Sequence, residues 1–343
     1  MTNEERKRFW EALRSLPLEN ASTDNERTLL KEALSFPPAI YRYRKVSEKT
    51  LNALENNRLF FSTADYYDDP FDTYINIDYD LIRSQIDAGL ANPEDFIAEF
   101  KERWATTGLP LPDEGILGAF KRTLYENIDQ YKQSFFQFLQ QDVQVAFQQR
   151  IWSVCFCESP LNPSMWIKYG AESHGFCLMY SLKEPDLTRL KCGSDPICEK
   201  CNVKQYGLEL FPIFYSEEKY DATPTAYEIV QGYALCLIKG IQPLSVKEFA
   251  QWWDFSRWAL EKVALIKSIH HEHDEEWRLL FTGHTTNRIQ CEWVPSAVIL
   301  GLRMSDEDKT NVKAAAKKAG IPKCYSVIIN LKNELELIVD NDY

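Results

Sequence analysis

Apolar and polar positions change their period several times along this chain. Over residues 4–34 the apolar residues recur at helical spacing, with Phe9, Trp10, Leu13 and Leu16 on one face and Pro17-Leu18 as a stop. One or two amphipathic helices are predicted there, forming an N-terminal pad over residues 1–39. "IYRYR" then alternates as a strand does, so Ile40, Arg42 and Arg44 point one way and Tyr41 and Tyr43 the other. A short helix is expected between Ser47 and Asn57, with Leu51 and Leu54 inward and the Asn56-Asn57 pair ending it before the strand "RLFFS". "DDPFD" has the composition of a helix start, with Asp69 as N-cap and Pro70 at the first position. Capping would occupy Asp69 and leave Asp72 free to face the first-strand arginines.

From Tyr79 to about Arg150 the pattern turns to long amphipathic runs, "PEDFIAEFKERW" and "ILGAFKRTLYENIDQYKQSFFQFLQQDVQVAFQQR", with "TTGLPLPDEG" as an internal loop. This predicts a helical insertion. "WSVCFC" and "FCLMYSL" then read as strands on either side of a helix, "NPSMWIKYG", that Asn162 caps, Pro163 opens and His174-Gly175 ends. "LFPIFYS" is strand-like, and residues 227–269 read as mostly helical. The chain returns to strands in "EEWRLLF", "SAVILGL" and "CYSVIINLKNELELIVD", around a helix that Ser305 caps and Gly320 ends. In "EEWRLLF", Glu276 and Arg278 share one face while Trp277, Leu279 and Phe281 take the other. Short strands without regular βαβ alternation predict an α+β domain over residues 40–343, with a central, mostly antiparallel split sheet flanked by helices.

Composition narrows the function classes. With 343 residues, 45% of them hydrophobic and 13% aromatic, the chain can bury a large core. A net charge of −12 and a pI near 5.1 argue against broad, non-specific DNA binding, which needs clustered Lys and Arg, and leave room for a narrow basic pocket. "MTNEERKRFWEALRSLPL" lacks an apolar signal core, and no window approaches 18 continuous apolar residues. The expectation is a cytoplasmic protein without a membrane span, whose nine cysteines sit in a reducing compartment.

Cys192, Cys198 and Cys201 lie within ten residues, and "CEKC" has the spacing with which a loop offers two thiolates to a structural zinc. Cys155, Cys157 or Cys177 would have to supply a fourth ligand; the alternative is unliganded loop thiols. "HHEHDEEWR" gathers His270, His271, His273, Asp274, Glu275 and Glu276 without zincin spacing, so a solvated polar run is favoured there over a catalytic metal. Glu276, at the mouth of a strand, is the sharper candidate. Trp166 and Tyr169 share a helical face next to Lys168, which suits core packing first and a pocket rim second. Gly-x-Gly-x-x-Gly, Gly-x-x-x-x-Gly-Lys and Gly-x-Ser-x-Gly are all absent, which weakens Rossmann dehydrogenases, P-loop ATPases and α/β-hydrolases.

Four segments in order, "YRYR", "LENNRLFFSTADYYDDPFD", "CFCESPLNPSMWIKYGAESHGFCLMYSL" and "KSIHHEHDEEWRLLF", resemble the bacterial domain-of-unknown-function family 2971. The likeness spans roughly Ile40 to Phe281. It departs from the family pattern at Tyr67-Asp68, where the family has Phe-Asn, and at Lys168, where His is common. The same order of strands carries a weaker likeness to the ADP-ribosyltransferase superfamily, whose members hold NAD between strands of a split sheet. That likeness implies an NAD-using effector of the toxin or phage-defence kind acting on a protein or nucleic-acid target. Arg42 or Arg44 would match its first-strand NAD position, Ser62 and Thr63 its second-strand hydroxyls, and Glu276 its late glutamate.

The chemistry of that assignment is coherent. A carboxylate stabilises the oxocarbenium charge that develops as the nicotinamide–ribose bond breaks, and a guanidinium fork suits a pyrophosphate. Tyr43, Trp166 or Tyr169 would stack on the rings, with Asp72 and Arg278 completing the pocket. Against it stands a non-enzymatic binding or regulatory module, working with a partner protein, in which Arg42, Asp72, Glu276 and Arg278 form a structural ion-pair network. A metal-dependent hydrolase or nuclease is a third alternative.

Overall fold

The computed structural model describes residues 1–16, 24–69, 71–91, 128–182, 190–192, 209–227, 258–282 and 289–343, with isolated positions between 98 and 126. It is an α+β fold built around one large sheet. The strands are β1 (Ala39–Arg44), β2 (Arg58–Phe60), β3 (Ser62–Thr63), β4 (Trp152–Cys157), β5 (Phe176–Ser181), β6 (Leu190–Cys192) and β7 (Glu209–Pro212). After them come β8 (Phe214–Ser216), β9 (Ile266–Ser268), β10 (Glu276–Phe281), β11 (Ile289–Glu292), β12 (Ala297–Leu300), β13 (Cys324–Ile329) and β14 (Leu335–Val339). In the main sheet the order is β14-β13-β12-β5-β1-β4-β10-β7, with β3 also beside β4. Every pairing in it is antiparallel except β12 with β13. β1 meets the end of β4 at Cys157 and β3 meets its start at Trp152 and Ser153, so the sheet is split along that edge.

Local chemistry explains the helices that frame this sheet. In α1 (Asn3–Ser15), Thr2 and Glu5 form a capping box, and Phe9, Trp10 and Leu13 go into the core against Phe211 and Tyr215. Ser47 accepts from the Thr50 N–H to start α2 (Glu48–Glu55), and Asn57, at φ 52°, turns the chain out of it into β2. Within the predicted insertion, helices Tyr79–Ala91, Ile128–Gln141 and Val143–Arg150 are present. Asn162 caps the helix Pro163–Lys168 as expected, accepting from Met165 N–H at 3.2 Å. The helix ends at Lys168 with Tyr169 as its C-cap, short of the expected His174-Gly175 stop, and a turn leads on to Gly175. A Cβ there would lie 2.2 Å from the Arg44 carbonyl oxygen, so only glycine lets the turn press on β1.

Several expectations are corrected here. "RLFFS" is not one strand: Phe61 separates β2, which pairs with β11, from β3, which pairs with β4. Of the run 227–269 read as mostly helical, residues 228–257 lie outside the described residues and Ile266–Ser268 is the strand β9. "LFPIFYS" is not one strand: Ile213 separates β7, in the main sheet, from β8, which pairs in parallel with β9. "DDPFD" does not open a helix. Residues 71–73 form a turn in which Asp69 accepts from Phe71 N–H at 2.9 Å and Asp72 N–H bonds the Asp69 carbonyl at 3.1 Å. Thr73, at φ 54°, reverses the chain at once, and the burial of Asp72 takes the place of helix continuation.

Candidate functional site

Register decides which side chains can meet. Tyr41 lies opposite Cys157, and Cys157 lies opposite Glu276, so the odd positions of β1 share a face with Cys155, Glu276 and Arg278. Arg42 and Arg44 therefore point to the other face, with Phe176, Leu178 and Trp277. The pocket expected to join Glu276 to Arg42 or Arg44 is not formed. The sheet lies between them.

On the first face, Glu276 and Arg278 anchor a buried network of charges. Arg278 is 1% exposed and spends its whole fork: Nε donates to Glu276 Oε1 at 2.6 Å, Nη2 to Asp72 Oδ2 at 2.6 Å, and Nη1 to the Ala264 carbonyl at 2.7 Å. Its guanidinium also lies 4.9 Å from the centre of the Tyr67 ring. Glu276, 6% exposed, accepts at its other oxygen from Lys267 Nζ at 2.9 Å, while its N–H donates to the Tyr215 hydroxyl. Lys267 extends the chain of charges to Asp274 at 3.3 Å and Asp72 at 3.5 Å. At the rim, Lys168 meets Asp274 at 3.1 Å, and His271 bridges Asp274 at 3.3 Å and Asp69 at 3.2 Å.

Sequence order scatters these groups and the fold gathers them. The Asp72 turn is held from the helix Val143–Arg150, whose Gln144 donates to the Thr73 carbonyl at 3.0 Å and whose Gln148 donates to the Asp72 carbonyl at 3.4 Å. Asp274 ends the 3-10 helix Ile269–Asp274, and Glu275, at φ 48°, turns the chain into β10. Asn162 ties the neighbouring helix to this segment by donating to the His273 carbonyl at 2.6 Å. Asp72 thus faces Arg278 and Lys267, and not the first-strand arginines.

The network is balanced and tight. Asp72, Glu276 and Asp274 bring three negative charges, Arg278 and Lys267 two positive ones, and Lys168 closes the balance from the rim. Burial alone would raise the Glu276 carboxyl, but Arg278 and then Lys267 outweigh it and hold the group well below the carboxylate range. Lys267 is likewise raised against the pull of burial, by Glu276 and Asp72. Such a carboxylate does not act as a general acid at neutral pH. Nor does the face supply a reactive thiol, since burial and then Glu276 push Cys155 up to about 12, and burial pushes Cys157 up to about 12.

The other predicted residues have distinct surroundings. Tyr43 and Trp166 are buried in edge contact, ring centres 4.9 Å apart, and bond the Ser159 and Pro160 carbonyls, so both serve the core. Tyr169 is 41% exposed and stands close enough to Glu276 for that charge to raise its phenol, after burial. Ser62 is exposed at the start of β3, and the Thr63 hydroxyl is taken by Asp65. Cys192 ends β6, while Cys198 and Cys201 lie outside the described residues. Among the described residues no group of three or more His, Cys, Asp or Glu could hold a metal ion, and no helix is long and apolar enough to cross a membrane.

On the opposite face Arg42 and Arg44 line a small open cleft, with about 30 Å³ of enclosed room, together with Thr50, Leu54, Leu59, Phe60, Phe176 and Tyr180. Among the described residues neither guanidinium has a carboxylate partner. Burial lowers Arg42, and Arg42 itself, followed by burial, lowers Arg44 to about 10.

Lys267, Asp274, Tyr67 and Tyr215 are the members of the network that sequence reasoning missed. Lys267 carried a usable signal: "IKS" alternates, and an isolated Lys between Ile266 and a polar run points inward only if carboxylates wait for it. Comparison with known proteins adds no relative, since no family model, curated protein or solved structure matches the chain.

Proposed function

We propose that this chain is a binding or regulatory module in which the Asp72–Arg278–Glu276–Lys267–Asp274 assembly is a structural charge network and the open cleft across the sheet takes the ligand. One observation carries this reading. Both Glu276 oxygens are spent on buried cations, and the carboxylate stands on the face opposite Arg42 and Arg44. The transferase reading drawn from the resemblance asks Glu276 and a first-strand arginine to share one NAD molecule. An NAD molecule at the cleft would meet the arginines without the glutamate.

Glu276→Gln in the purified full chain tests the proposal by two readouts on one sample. A structural Glu276 predicts a melting temperature lower by several degrees, since breaking a buried pair costs about 3–5 kcal/mol and each kcal/mol is worth roughly 1–2 °C at this chain length. NAD incubated with either protein should persist. Overturning it requires a wild type that consumes NAD and a Glu276→Gln variant that keeps its melting temperature yet loses that turnover on the order of 10²-fold.

A further inference from the structure

Arg42 and Arg44 are two residues apart on β1, so their side chains leave the same face of the sheet with Cα atoms roughly 6–7 Å apart. Both are half-buried, both line the cleft, and among the described residues neither makes a hydrogen bond or an ion pair to another side chain. This arrangement is costly for the protein alone. A guanidinium withdrawn from water needs a carboxylate or an anion, and a second guanidinium beside it adds repulsion. The network on the opposite face has a counter-charge for each buried cation, so the uncompensated pair is a local feature of the cleft and does not follow from the overall charge of −12.

The chemistry of the lining selects a ligand. Two neighbouring forks offer several N–H donors to one tetrahedral anion, and two positive charges are matched by a dianion better than by a carboxylate. Arg58 also stands at the cleft, but it is exposed and lies directly across from Glu292, so it is not counted in this balance. Phe60, 37% exposed, supplies an apolar surface at the cleft. Its enclosed room is only about 30 Å³, so the organic part of a ligand has to lie at the open mouth of the cleft.

We infer that the Arg42–Arg44 cleft is a binding site for a small phosphate monoester, its dianionic phosphate held between the two guanidiniums and its organic part at the open mouth against Phe60. This rests on the reading of the chain as a binding module, and it assigns no reaction. Thr50 is not a phosphate ligand, because its hydroxyl is already donated to the Lys45 carbonyl at 2.7 Å.

The test is calorimetric titration of the full chain at fixed ionic strength with phenyl phosphate, with inorganic phosphate, and with benzenesulfonate as a monoanion of like shape. Saturable binding of phenyl phosphate is expected, at least fivefold tighter than benzenesulfonate and tighter than inorganic phosphate. Arg42→Met and Arg44→Met, which keep the length of the stem and remove the charge, should each weaken it at least tenfold. Absence of saturable binding by wild type overturns the inference, as do equal affinities for dianion and monoanion or affinities unchanged in both variants. The comparison of ligands uses wild-type protein only, so a variant that fails to fold does not remove the test. Failure here with a structural Glu276 leaves the module reading standing. Loss of NAD turnover in Glu276→Gln removes that reading even if phosphate esters bind.

Discussion

The two faces of the central sheet carry charge in opposite ways. Around Arg278 every buried cation has buried carboxylates within 3.5 Å, and the group is closed to solvent. Around Arg42, among the described residues, the cations have each other and an open cleft. Both sets of arginines come from short alternating strands, β1 and β10, with aromatic neighbours. The difference teaches that an arginine at an inward strand position does not declare its role; its counter-charge does. A paired guanidinium is spent on the fold, whereas an unpaired one beside a cleft is held ready for an anion.

The largest expected effect breaks the compensated side. Arg278→Met leaves Asp72 and Glu276 buried with Lys267 alone between them, and should destabilise by about 3–5 kcal/mol or more. A melting scan or urea unfolding would measure it, and a loss below about 1 kcal/mol would erase the contrast between the faces.

Next comes acid. Glu276 and Asp274 are both held below their ordinary values of 4.5 and 3.8, burial opposing and the neighbouring cations prevailing. A carboxyl lowered in the folded state contributes stability that is fully present above its unfolded value and is lost as pH falls towards its folded one. Stability should therefore decline below about pH 5, and Glu276→Gln should make that decline shallower. Lys267, raised from 10.5, carries the opposite sign: its contribution is full below that value and fades above it. Parallel acid limbs for wild type and variant would show that Glu276 does not carry the linkage.

The smallest effect belongs to the cleft. Arg42→Met removes a charge that among the described residues has no carboxylate to orphan, and it relieves Arg44, so the melting temperature of the ligand-free protein should stay within the equivalent of about 1 kcal/mol, or rise. A loss as large as that of Arg278→Met would mean that Arg42 is structural after all.

Much of the local structure was legible from residue order. The alternation of "IYRYR" and "EEWRLLF" placed the arginines and Glu276 on the correct sides of their own strands, and Asn162 and Ser305 cap the helices expected of them. These features depend on neighbours a few residues away, where backbone geometry fixes the outcome. "DDPFD" misled because capping propensity is a weak local preference. The contact of Asp72 with an arginine 206 residues further on outweighed it.

What the chain alone determined, then, is the set of strands and caps, the α+β class, and the separation of Glu276 and Arg278 from Trp277 and Leu279 within one strand. Only the tertiary structure decided which faces coincide. Periodicity gives each strand two sides but carries no label saying which side of β1 matches which side of β10; the register through Cys157 supplies it, and a slip of one residue would have put Arg42 beside Glu276. The same holds for Lys267 and Asp274. A solvated-looking run after residue 266 becomes the inside of a charge network because the Asp72 turn and β10 close over it, and the resulting Coulomb attraction exists only at distances that folding creates.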